Sequence, residues 1–135
     1  MQIPKEEIKN NILAAAREEF LANGYEKASI RSITAKAKTS KSNVYNYFSD
    51  KDALFHAVVE CTLSSMEEGF KKLQEGNRQR DAGSYTIDAQ KYVISIFVNF
   101  AFDHKDDFKL LFFHSGGSSL SGFKAHLIDS FADIM

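Results

Sequence analysis

The chain has one cysteine, Cys61, so no intrachain disulfide can form. Nothing in it argues for an oxidising compartment. Cys61 itself reads as a small buried apolar residue. The start, Met1-Gln2-Ile3-Pro4-Lys5, lacks the basic region and apolar run of a secretion signal. The longest apolar stretch, Tyr92 to Phe102, is broken by Ser95 and Asn99 and falls short of the ~20 apolar residues that span a bilayer. Together these absences point to a cytoplasmic protein with no membrane partner. There is no glycine-rich phosphate loop, no nucleophile elbow and no pair of catalytic carboxylates, so an enzyme is not expected. His104, His114 and His126 are spaced too widely for a helical metal pair, so neither metal nor cofactor is expected. Internal repeats and low-complexity segments are absent too, and so is tryptophan, although there are twelve phenylalanines.

What is present is enough for one compact domain or two very small ones: 135 residues, 44% of them apolar. The net charge of −1 hides an uneven distribution. Residues 27–51 hold six cations (Lys27, Arg31, Lys36, Lys38, Lys41 and Lys51) against one acid, Asp50, leaving the remainder acidic. A basic patch on an acidic molecule suits a local phosphate-binding surface. By charge alone, a solvated face explains the same pattern.

Apolar spacing predicts helices throughout, hence an all-α fold. Ile8, Ile12, Ala15, Ala16 and Phe20 give a first helix over 5–22, ended by Asn23-Gly24. Ser29 caps a second short helix carrying Ile30, Ile33 and Ala37, and Ser40 caps a third over 41–47. Ser49-Asp50-Lys51-Asp52 matches a capping box opening a long fourth helix, with Leu54, Ala57, Val58, Cys61, Ser65 and Met66 on one side. Gly76 to Ser84 is the one linker-like stretch. Beyond it aromatics crowd in. Residues 85–103 could suit a strand but are read as a buried helix, 105–113 as a short helix opening on a solvated Asp106-Asp107 pair, and 120–134 as a final amphipathic helix.

Two short helices joined by a tight turn can present one of them to the major groove, which is wide enough to admit it. Such a helix needs compact polar groups for base edges and cations or hydroxyls for phosphates. Lys41-Ser42-Asn43-Val44-Tyr45-Asn46-Tyr47-Phe48 fits, with Val44 and Phe48 facing inward. The sequence from Leu13-Ala14-Ala15-Ala16 through Phe20, Asn23-Gly24-Tyr25, Ser29-Ile30-Arg31-Ser32-Ile33-Thr34, Ala37 and Ser40–Phe48 to Lys51-Asp52-Ala53-Leu54 resembles the TetR family of bacterial transcriptional regulators, over roughly residues 8–56.

The resemblance implies a homodimer that binds a palindromic double-stranded DNA operator through an N-terminal helix-turn-helix domain (1–50, motif 29–48). It also implies a helical part, 51–135, that dimerises and binds a small-molecule effector, expected to be incomplete at its C-terminal end. Carried over residue by residue, Arg31 contacts phosphate. Lys41, Ser42, Asn43, Tyr45 and Tyr47 contact groove and backbone, and Lys51 contacts the backbone, while Tyr25 and Phe48 are structural. Three positions depart from the family pattern: Lys38 where the turn usually has Gly, Ser42 for a frequent Gly, and Tyr47 for a frequent His. For the effector, the candidate lining is Phe97, Phe100, Phe112 and Phe113, within a cluster that packing alone also explains. The expected function is a sequence-specific repressor released by a small apolar or aromatic effector. The alternative is a small-molecule-binding or protein-interaction domain whose DNA-reading helix has lapsed.

Overall fold

A computed structural model describes residues 4–78 and 87–134, and every regular element among them is helical. The order is α1 (Lys5–Lys27), α2 (Ile30–Ala37), α3 (Lys41–Tyr47), α4 (Lys51–Arg78), α5 (Ile87–Asp103), α6 (Lys105–Phe113) and α7 (Phe123–Ile134). The linker-like stretch at Gly76 to Ser84 lies, from residue 79 on, outside the described residues, as does Tyr85.

Local chemistry sets the first boundaries. Gly24 breaks α1 with φ 76° and ψ 166°, a backbone region that residues with a Cβ avoid. Only the single turn Tyr25–Lys27 follows it. The Tyr25 N–H turns out to donate to the carbonyl of His114, 2.9 Å away. The Ser29 hydroxyl accepts from the Ser32 N–H, and the Ser40 hydroxyl from the Asn43 N–H, capping α2 and α3 as expected. Lys38 does occupy the left-handed turn position, at φ 56° and ψ 43°, and bears the strain that glycine would avoid.

A single apolar cluster runs through the molecule. Ile12, Ala16 and Phe20 of α1 meet Ile33 of α2, Val44 at the base of α3, and Leu54, Phe55, Val58 and Val59 of α4. The cluster then continues into Phe108, Leu110 and Leu111 of α6 and Phe123 and Leu127 of α7. Phe20, Tyr25 and Phe55 pack ring to ring at its centre, with edge-on pairs at 4.9 and 5.4 Å.

Five expectations are corrected. The cap of α4 is Asp50, whose Oδ1 accepts from the Ala53 N–H, and not Ser49. Asp52, the far end of the expected box, instead accepts from the Ser119 N–H. Cys61 is exposed: the buried stripe of α4 is Leu54, Phe55, Val58, Val59 and Thr62, and Cys61 lies one residue off it. Asp107 is buried rather than solvated, because Arg17 and Thr62 both reach it. The last helix begins at Phe123, after turns over 116–122. Finally, α5 is helical but not buried. Phe97, Phe100 and Ala101 pack against the core, while Tyr92, Ile94, Val98 and Phe102 remain exposed because no described element covers that side.

Candidate nucleic-acid interface and aromatic cavity

The expected contact residues converge on one end of the molecule, but they are not equally available. Val44 and Phe48 are buried and fix α3 to the core. Lys41, Ser42 and Tyr45 on α3 and Arg31 on α2 are exposed. Lys41 Nζ lies 5.9 Å from the centre of the Tyr45 ring, one turn away, so charge and hydroxyl share a face. These four side chains present the short polar and cationic groups that a duplex contact requires.

The other three are already engaged. Asn43 is half-buried, and its Nδ2 donates to Thr39 Oγ1 at 2.9 Å while its backbone N–H is taken by Ser40. Its amide therefore braces the turn. Tyr47 is half-buried and packs against the core beside Phe48. The Lys51 ammonium donates to the carbonyls of Glu26 and Ala28 and sits above the Tyr25 ring. Another cation of the patch, Lys36, pairs with Glu19 at 3.3 Å, and with Glu18 more distantly. The exposed cations of the stretch are Lys27, Arg31, Lys36, Lys38 and Lys41, and Lys36 among them is paired with Glu19. Sequence spacing could not have revealed the partners of Lys36 and Lys51, because Glu19, Glu26 and Ala28 reach those ammonium groups only through folding, whereas Thr39 stands four residues before Asn43.

The four candidate effector residues divide. Phe97 and Phe100 line a cavity of about 80 Å³ between α4, α5 and α7, walled also by Met66, Phe70 and Phe131 and lined by no charged side chain. Phe97 meets Phe131 edge-on at 4.7 Å. Phe112 lies elsewhere, stacked on Phe108 and edge-on to Phe123. Phe113 is exposed, under the Lys124 ammonium. Phe70, which the sequence left unassigned, is a wall residue. Its spacing four residues after Met66 on α4 was the available signal. A wider open groove of about 740 Å³ separates α4 from α7 and mixes Leu63 and Phe123 with His56, Glu60, Glu67 and His126.

Residues 12–58 match the model of bacterial regulatory proteins of the tetR family. Over that stretch, about a third of the chain, the protein is similar to the DNA-binding part of TetR-family regulators. The HTH-type transcriptional regulator QacR of Staphylococcus aureus is 34% identical over 67 residues, half of this chain and 36% of that protein. The HTH-type transcriptional activator FasR of Mycolicibacterium smegmatis is 32% identical over 82 residues, covering 58% and 37%. The matched part spans little more than a third of these TetR-family relatives. Among solved structures, a TetR-like transcriptional regulator from Rhodococcus sp. RHA1 superposes with a TM-score of 0.65 at 23% identity. That likeness covers 95% of this chain and 67% of that one, and it concerns the fold. No described helix is long and apolar enough to cross a membrane.

Proposed function

We propose that the protein is a DNA-binding transcriptional regulator. In this reading it is a repressor that leaves a palindromic operator when a small apolar or aromatic effector enters the helical part. The observation that carries the reading is α3: a helix held from below by Val44 and Phe48 and offering Lys41, Ser42 and Tyr45 outward, in a family domain. Arg31 supplies a phosphate contact beside it. Residues 1–50 form the reading part and 51–135 the effector and dimerisation part, with two copies placing their α3 helices in successive major grooves. Phe97 and Phe100 contribute to the effector cavity, and the absence of charge on its walls is what selects an uncharged apolar guest.

Selection of bound duplexes from a random pool tests this. A palindrome should be enriched, with affinity falling linearly in log–log salt plots as counterions are released. Lys41→Ala should weaken binding to all duplexes and lower that slope by about 1. Recovery of no common sequence at low salt would overturn the reading.

A second reading, a small-molecule-binding or protein-interaction domain with a lapsed reading helix, draws on the internal engagement of Asn43 and Lys51. It predicts that Lys41→Ala and Asn43→Ala together leave function untouched.

A further inference from the structure

The wall of the aromatic cavity continues into a chain of polar contacts that the proposed function leaves unused. Phe100, on the cavity wall, lies with its ring centre 4.5 Å from that of His104, one turn on and at the α5–α6 junction. His104 Nδ1 is 3.2 Å from Thr62 Oγ1 on α4. Thr62 is fully buried and donates to Oδ2 of Asp107, itself 7% exposed, while Oδ1 of the same carboxylate takes the guanidinium of Arg17. Arg17 belongs to α1, and its other amino group donates to the Val58 carbonyl at 2.9 Å. Four helices and the two halves of the chain thus meet in one uninterrupted series of contacts.

The chemistry of the series is directional. A hydroxyl has one proton. Thr62 gives that proton to Asp107, so towards His104 it can only accept, and the imidazole must carry a proton on Nδ1 to complete the contact. Each bond in the series therefore depends on the orientation of its neighbour. A shift of the Phe100 ring that turns His104 removes the donor to Thr62, frees the hydroxyl to rotate, and loosens one of the two anchors of the Asp107 carboxylate. Arg17 then loses a fixed partner, on the helix whose Glu19 holds Lys36 of α2. The surrounding apolar contacts of Phe108 with Phe97 and Phe100 have no such directionality.

We propose that Phe100–His104–Thr62–Asp107–Arg17 is a relay that reports occupancy of the aromatic cavity to α1, and through α1 to the helix pair carrying the DNA contacts. The proposal rests on the effector reading above for its input, but the relay itself can be tested without an effector. Coupling of this kind is established by non-additivity and not by contact alone.

The experiment follows hydrogen exchange of the Arg17 guanidinium Nη–H groups, the donors to Asp107 and Val58, in the full chain by NMR. Phe100→Leu and Thr62→Val should each accelerate that exchange several-fold, and the double variant should be no faster than the quicker single one. Thr62→Ser, which keeps the hydroxyl, should restore both the slow rate and the response to Phe100→Leu. Retained protection of the Ile33 amide, in the core of the N-terminal part, checks that each variant is folded. Effects that multiply in the double variant, or an Arg17 rate that ignores Phe100→Leu, overturn the relay. Benzene then serves as an apolar probe for the cavity. Shifts at Phe97, Phe100 and Arg17 with a common midpoint, the last lost in Thr62→Val, support the relay. Shifts at the two rings without Arg17 overturn it and leave the cavity reading standing. No shift at either ring overturns the cavity reading, and the exchange data then decide the relay by themselves.

Discussion

Lys51 Nζ stands 4.4 Å above the centre of the Tyr25 ring and donates to the backbone carbonyls of Glu26, at 3.3 Å, and Ala28, at 3.4 Å. These carbonyls lie at the end of α1, where helical partners run out, so the first turn of α4 supplies what α1 cannot. The ammonium thereby ties the α1–α2 connection to α4 and sets how α2 and α3 sit on the core. Lys51→Met keeps most of the aliphatic stem and removes the charge. It should cost about 1 kcal/mol of stability, combining a cation–π contact with hydrogen bonds from a charged donor. Urea unfolding of the two proteins measures it. An unchanged midpoint would mean that the lysine is idle in the fold and available to phosphate alone.

Lys38 sits in the left-handed region at the turn between α2 and α3. Strain there costs roughly 1–2 kcal/mol for a residue with a Cβ, while glycine adds roughly 0.5–1 kcal/mol of unfolded-state entropy. Lys38→Gly should therefore stabilise the protein by about 0.5–1 kcal/mol. The same change removes an exposed cation beside α3, so DNA affinity should fall as stability rises. Thermal unfolding and a duplex titration, read together, separate the two effects.

The helical periodicity of α1, the serine caps of α2 and α3, and the identity of α3 were legible in the sequence because each depends on residues within four positions of one another. The bounds of α3, 41–47, and of α6, 105–113, were read directly. What escaped depends on partners far along the chain. Asp107 looked solvated because its neighbour Asp106 is polar; Arg17, ninety positions away, buries it. Lys51 looked like a free cation because Glu26 and Ala28 offer it only backbone oxygens, which carry no sequence signature. Phe112 and Phe113 looked like cavity lining because they belong to the same aromatic-rich stretch as Phe97 and Phe100, yet Phe112 packs on Phe108 and Phe123 and Phe113 faces solvent. The helix α5 was read as buried because its apolar run is long, holds no turn residues and lies among helical neighbours. Among the described residues only one of its sides is packed.

Ser40 holds the start of α3 by accepting from the Asn43 N–H at 3.1 Å. Seven residues are too few for a helix to persist unaided, so the cap and the buried Val44 carry much of its order. Ser40→Ala should cost about 1 kcal/mol. It should also weaken DNA binding more than that loss alone explains, because the side chains of Lys41, Ser42 and Tyr45 lose their common platform. Ser29→Ala, which uncaps α2, should match it in stability and affect binding less. Equal binding losses in the two variants would show that α3 keeps its shape without its cap.

Arg17 and Asp107 form a pair in which only the acid is buried; the arginine side chain is 38% exposed. Removing the arginine leaves a carboxylate in the core with Thr62 as its remaining partner, whereas removing both leaves no charge to solvate. Arg17→Met should cost about 2–3 kcal/mol, and Arg17→Met with Asp107→Leu appreciably less. Denaturant titrations of the single and double variants provide the comparison. A double variant as unstable as the sum of the singles would show that packing of the arginine stem, and not the stranded charge, dominates.

Tyr25 gives the stability of the protein a signature at high pH. Burial pushes its phenol above the ordinary value near 10, and the carboxylates of Asp52 and Asp50 push the same way by opposing a second negative charge. In the unfolded chain the phenol ionises near pH 10. Between that pH and its higher folded value, the native state holds a proton that the unfolded state has lost. Stability therefore falls as pH rises through this window, and below it the contribution is constant. Tyr25→Phe keeps the ring, its contacts with Phe20 and Phe55, and the seat for Lys51, while deleting the ionising group. The gap in unfolding free energy between wild type and Tyr25→Phe, measured from pH 8 upward, should stay level to about pH 10 and then move in favour of the variant. A gap that stays flat through the alkaline range would mean that the phenol ionises as readily in the folded protein as in the unfolded chain.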